Sequence, residues 1–145
     1  MFKIFSCVIL LGFLCQIGTG LFTARKPTNL APKNGTNVVF GTVVVNDGDR
    51  YNSTSGVFTA ARGGDYLFTG ALCPQRAKGF YFGITQNGVE QTRASFTETD
   101  GHVCHTFTAI LRLKRHDKVA LRSENDANLL NEDAARWNMF YGVKV

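Results

Sequence analysis

The sequence predicts an all-β domain, a sandwich or barrel of about eight to ten short strands. Three observations predict it. Runs rich in β-branched and aromatic residues recur from Val38 to the C-terminus. Turn residues (Gly, Asn, Asp) interrupt those runs at intervals of about ten residues. Only Ala127 to Ala135 resembles a helix, and it carries Asn128, Asn131 and Asp133, which compete for backbone hydrogen bonds, so it reads as a loop.

In chain order, Lys3, the apolar run Ile4 to Leu14 and the small residues Gly18, Thr19 and Gly20 have the layout of a secretory signal peptide, residues 1–20, cleaved after Gly20. The apolar run is shorter than the roughly 20 residues a spanning helix needs, so no transmembrane anchor is expected and the mature chain is expected to be secreted. Residues 21–37 are polar, with Pro27, Pro32 and Gly35, and read as a flexible N-terminal arm holding neither a Gly-X-Y repeat nor apolar heptads. The domain is expected over residues 38–145. Its strands are Val38 to Val45, ending at Asn46-Asp47-Gly48; Arg50 to Asn52; Gly56 to Ala60, closed by Gly63-Gly64; and Tyr66 to Leu72. Phe80 to Gln86 and Val89 to Phe96 flank Asn87-Gly88, a tight hairpin signal. Val103 to Leu113 alternates, with Phe107, Ala109, Leu111 and Leu113 on one face and Thr106, Thr108 and Arg112 on the other. Lys118 to Arg122 and Trp137 to Val145 complete the set. Twelve phenylalanines fit a core of large rings.

Four cysteines are present, and Cys7 and Cys15 leave with the leader. For Cys73 and Cys104, in an oxidising compartment, the simplest reading is one disulfide, worth about 3 kcal/mol; two free thiols or a bond to a neighbouring chain are the alternatives. Asn34-Gly35-Thr36 and Asn52-Ser53-Thr54 are candidate N-glycosylation sites, at Asn34 and Asn52. The formal charge of +5, reduced by one with Lys3, is mildly basic. It comes with no dense Lys/Arg block and no aromatic-basic interleaving, so no nucleic-acid partner is expected.

Four segments carry a resemblance. Gly56 to Phe68, GVFTAARGGDYLF, resembles the signature of the complement C1q globular-head family, with Gly56, Phe58, Gly64, Tyr66 and Phe68 in matching order and spacing. Val45 to Asn52, Leu111 to Leu121 and the closing Phe140-Tyr141-Gly142 are similar to further segments of that family. The sequence departs from it at Ala61, where the family has Pro, and at His116, where the family has Gly; His is among the residues least penalised at positive φ. The resemblance covers residues 38–145 and is to the short, head-only secreted members. It implies a ten-stranded jelly-roll sandwich of the C1q/tumour necrosis factor type that assembles as a homotrimer. Tyr66, Phe68 and Phe140 are the candidates for the three-fold interface, with the monomer core as the alternative position for each.

Chemistry finds few footholds. His102, Cys104 and His105 lie close in sequence, yet on a strand His105 points away from the other two, so no zinc site is expected. There is no G-x-S-x-G elbow and no phosphate loop, and adjacent Cys104 and His105 face opposite sides, so the protein is not expected to be an enzyme. No cofactor is expected, although the acidic segment Ser123 to Asp133 makes calcium possible. Ligand contacts are expected from loops at one end: Arg76 and Lys78 in one, Asn125, Asp126, Asn128 and Asn131 in another. The expected function is a soluble, lectin-like pattern-recognition protein of innate immunity that binds microbial or sialylated glycans through multivalency. The competing readings are a trimeric signalling or adhesion ligand of the cerebellin or tumour necrosis factor type, and a structural or storage protein of a secreted matrix.

Overall fold

The computed structural model describes residues 19–76, 78–97, 99 and 103–145. The expected signal peptide lies outside the described residues apart from Thr19 and Gly20. Ten strands form two five-stranded antiparallel sheets. They are β1 (Phe22–Pro27), β2 (Phe40–Asn46), β3 (Tyr51–Asn52), β4 (Val57–Thr59), β5 (Gly64–Leu72), β6 (Gly79–Gln86), β7 (Val89–Thr97), β8 (His105–Leu113), β9 (Lys118–Ser123) and β10 (Met139–Lys144). The first sheet runs β2-β1-β10-β5-β8 and the second β3-β4-β9-β6-β7. A 3₁₀ turn, Asp47–Asp49, joins β2 to β3. The all-β jelly roll expected from the sequence is therefore the fold.

The core fills the gap between the sheets with rings. Phe22, Phe40, Phe58, Tyr66, Phe68, Phe80, Phe82 and Phe140 are all at most 1% exposed. Phe22 stacks on Tyr51 and Phe58, with centroids at 5.0 and 5.1 Å, and Phe68 stacks on Phe140 at 6.1 Å. The pleat places every second side chain inward, so β5 contributes Tyr66 and Phe68, β6 contributes Phe80 and Phe82, and β1, β2, β4 and β10 contribute one of these rings each. At about 1.5–3 kcal/mol per fully buried large side chain, these rings are the main favourable term of the fold.

The expected flexible arm is corrected. Residues 22–27 form β1, which pairs with β2 on one side and β10 on the other, in the interior of the first sheet. Phe22 and Ala24 are fully buried. Residues 28–39 are irregular yet tied down, with Thr28 N donating to Val39 O, Gly35 N to Ser123 O and Ala127 N to Pro32 O. The domain thus begins near residue 21 rather than at residue 38.

The turns follow their local chemistry. Asn87 and Gly88 both take positive φ, 52° and 79°, as a two-residue hairpin of this twist requires. His116 occupies the β8–β9 turn at φ 73°, the conformation its position demands. Antiparallel pairing then sorts the connections into two ends. Segments 28–39, 73–76 and 124–138 gather at one end. Residues 19–21, the turns 47–50, 60–63, 87–88 and 114–117, and the C-terminus gather at the other.

Candidate functional site

The first of these ends, the loop end, is built by backbone pairing between two loops that are far apart in sequence. Gln75 N donates to Asn128 O at 2.9 Å and Leu130 N to Cys73 O at 2.7 Å, with Pro74 and Leu129 in an isolated antiparallel bridge. Asn138, fully buried, accepts Cys73 N–H through Oδ1 at 2.8 Å and donates from Nδ2 to Leu130 O at 2.8 Å. Cys73 is also bonded to Cys104, tying the end of β5 to the approach to β8. The intrachain disulfide is the one read from the sequence.

The two loops expected to touch ligand are therefore neighbours, but their side chains divide. Asn125 spans the start of β6: its Oδ1 accepts Tyr81 N–H at 2.9 Å and its Nδ2 donates to Gly79 O at 2.9 Å. Both ends of that amide bond within the fold, so Asn125 clamps the start of β6. Asp126 holds segment 30–36, accepting Asn34 N–H at 3.0 Å and pairing with Lys33 at 3.1 Å. The Asn34 amide, and then the Lys33 ammonium, keep its carboxyl below the usual range. Arg76 is exposed, its guanidinium donating to Thr99 O at 3.3 Å. Lys78 and Asn131 are exposed, and Asn128 is half-buried. Asn34 and Asn52 are both exposed; Asn52 Oδ1 accepts Thr54 and Ser55 N–H at 2.8 and 3.1 Å in an Asx turn.

The acidic segment does not fit calcium. Glu124 pairs with Arg122 at 2.6 Å, Glu132 with Arg25 at 2.9 Å and Asp133 with Arg136. The Arg136 guanidinium, and then the Ala135 amide, hold the Asp133 carboxyl down at about 2. Each carboxylate already faces a cation, and no three His, Cys, Asp or Glu side chains gather among the described residues.

The candidates for a three-fold interface are corrected as well. Tyr66, Phe68 and Phe140 are 1%, 0% and 0% exposed within one chain, so they have no surface to offer a second copy. The opposite parity of the same strands faces out. Leu67 lies between Val143 and Ile110, and Thr69 between Tyr141 and Thr108. The Thr69 and Thr108 hydroxyls meet at 3.1 Å. Ile110 is 69% exposed. This outer face is apolar in its middle and charged at its ends. Asp65 makes a two-point bond with Arg112, at 2.7 and 2.9 Å, at one end. At the other, Arg25 lies 4.1 Å over the Trp137 ring.

Comparison with known proteins adds to this geometry. The family model described as C1q domain matches residues 21–143. Human complement C1q tumor necrosis factor-related protein 2 is 30% identical over 111 residues, 74% of this chain and 39% of that protein. The chain thus spans about two fifths of the length of that curated relative. Among solved structures, the globular domain of zebrafish complement 1qA has a TM-score of 0.67 at 16% identity, over 86% of this chain and 96% of that one. Murine APRIL at pH 5.0 has a TM-score of 0.68 at 13% identity, over 86% and 98%. At these identities the two structures show a shared fold.

Proposed function

The chain belongs to the C1q-domain family, and from that premise we propose that it is a secreted, non-catalytic recognition protein that binds microbial or sialylated glycans as a homotrimer. The observation that carries the reading is the joining of the two loops at one end. Pairing of 73–75 with 128–130 joins the two loops at one end, and in this reading Arg76, Lys78, Asn128 and Asn131 form the ligand rim there. Such groups hydrogen-bond sugar hydroxyls and attract sialate carboxylates, weakly at a single site.

Multivalency supplies the rest. The outer face of the first sheet, centred on Leu67, Ile110, Tyr141 and Val143, is the surface that two sister copies cover. A three-fold axis puts the same end of every copy on one side, so three weak rims act together. Asn34 and Asn52 carry N-glycans in this reading, since both are exposed and both begin sequons.

The test is a glycan array probed with the secreted trimer and with an Arg76→Ser/Lys78→Ser/Asn131→Ala variant. Glycan signals that fall at least about ten-fold in the variant are expected, since three polar contacts per subunit are removed. A blank array together with no binding to bacteria overturns the reading. A second reading, a trimeric signalling or adhesion ligand, draws on the human relative, whose name places it with tumor necrosis factor-related proteins. Saturable binding to a host-cell protein, unaffected by competing glycans, selects it.

A further inference from the structure

A group of cations outside the ion pairs lies at the end of the sandwich away from the loop rim. Arg50, Arg62, Lys114, Arg115, Lys118 and Lys144 take part in none of the ion pairs among the described residues. Backbone bonds draw their turns into one patch. His116 N donates to Ala60 O at 2.8 Å, Ala60 N to Asp117 O at 2.9 Å, Thr59 N to Arg50 O at 2.9 Å and Asn87 N to Lys118 O at 2.7 Å. The Lys144 ammonium lies against Gly64, 3.0 Å from where a Cβ would stand. Burial raises the Tyr66 phenol, against the partial pull of the nearby Arg50 and Arg62.

The acids of this end are mostly occupied. Asp65 is spent on Arg112. Asp117 is wrapped by the amides of Gln86 and Asn87, each at 2.9 Å, and by Lys114 N–H at 2.8 Å. Asp47 accepts the Thr19 hydroxyl at 2.8 Å, which leaves Asp49 as the fourth. At the loop end fewer cations stand alone: Arg25, Lys33 and Arg136 each face a carboxylate there. Among the described residues this pole thus carries six cations outside the ion pairs, against Lys26, Arg76 and Lys78 at the loop end.

We propose that this pole is a second binding surface, for a linear polyanionic saccharide bearing sulfates or uronic carboxylates. Three of the six cations are arginines, whose planar forks match paired anionic oxygens. A bilayer would call for Trp, Phe or Leu to enter the interface. The large exposed apolar residues at this pole are valines, Val89 and Val145, and the exposed Trp137 lies at the other end. In a three-fold assembly the three poles point the same way and their fields add.

The test measures the full secreted protein against immobilised heparin, polygalacturonate, neutral dextran and phosphatidylserine vesicles. One variant is Arg62→Ser/Lys114→Ser/Arg115→Ser, and the control is Arg76→Ser/Lys78→Ser at the loop rim. The triple changes exposed side chains only: the bond that Arg62 accepts from Tyr66 and the bond that Lys114 donates to Asp117 are made by backbone atoms. The wild type is expected to bind an acidic polymer and not dextran, with affinity falling steeply as salt rises. At about 0.15 M salt the triple is expected to lose at least about ten-fold and the control less than about two-fold. Preference between heparin and polygalacturonate assigns sulfate or carboxylate. The proposal is overturned if neither acidic polymer binds, whether or not vesicles do, or if the control weakens as much as the triple. It is independent of the glycan reading of the loop rim, since the triple leaves that rim intact.

Discussion

The side-chain amide of Asn138 is folded around the backbone of Cys73: Oδ1 accepts the Cys73 N–H at 2.8 Å while Nδ2 reaches on to Leu130 O. The amide is fully buried, so no water stands ready to replace it. Asn138→Leu, of similar size, strands one donor and one acceptor. The expected loss is about 2–5 kcal/mol, read from the urea unfolding midpoint. An unchanged midpoint would show that the two loops at this end hold together without the clasp.

Ile110 lies midway along β8, the edge strand of the first sheet, on the outer face that the proposed trimer would cover. Ile110→Asp places a charge on that face. Because Ile110 is 69% exposed in the single chain, folding is expected to survive, while light scattering is expected to fall from the three chain masses of the proposed trimer to one. Phe68→Asp, on the same sheet but facing inward and 0% exposed, is expected to abolish folding instead. Trimers that persist in the Ile110 variant would move the interface elsewhere.

These two positions show what the sequence could reveal. Nine of the strands were legible because alternation and turn residues coincide, as at Phe80 to Gln86 before Asn87-Gly88. β1 was not, because only Phe22 and Ala24 alternate inward before Arg25, Lys26 and Pro27 end the pattern, and a polar, proline-bearing stretch reads as a tail. Its place inside the sheet comes from partners that lie about 20 and more than 110 residues along the chain, β2 and β10. The interface rings were misplaced for a different reason. Both faces of β5 and β10 are largely apolar, so period-two alternation fixes which residues share a face and not which face turns inward. The larger rings went to the inter-sheet core. At the loop end the residue types were right, but nothing local in the sequence marks Asn125 as bound across β6.

Tyr51 gives a pH dependence. Its phenol is 3% exposed, and burial pushes it up to about 12, against the partial relief of the Phe40 N–H at 3.0 Å. The neutral phenol is the form the fold prefers. Below pH about 10 both folded and unfolded chains hold the proton, and its contribution is fully present. From pH 10 to about 12 the unfolded chain releases the proton first, so stability falls as pH rises, by an amount on the order of 2–3 kcal/mol. Tyr66, also raised by burial, adds in the same direction. Urea midpoints measured across this range should decline, and more shallowly in Tyr51→Phe. Equal slopes would place the alkaline transition on other groups.

His116 and Asn87 both sit at positive φ, 73° and 52°, yet their replacement by glycine is expected to act in opposite directions. The His116 side chain is exposed, and the turn is held by its backbone N–H to Ala60 O at 2.8 Å, a bond any residue can make. Removing its Cβ relieves the left-handed strain at no loss of contact, so His116→Gly should raise stability by about 0.5–1 kcal/mol. Asn87 tolerates the same region and uses its amide, donating to Asp117 and accepting Lys118 N–H, both at 2.9 Å. Asn87→Gly gives up both bonds and should lower stability by about 1–2 kcal/mol. Thermal midpoints of the two variants check the pair. If both rise, backbone strain alone governs these turns and the Asn87 bonds are worth little; if His116→Gly falls, its imidazole has a role the turn geometry does not account for.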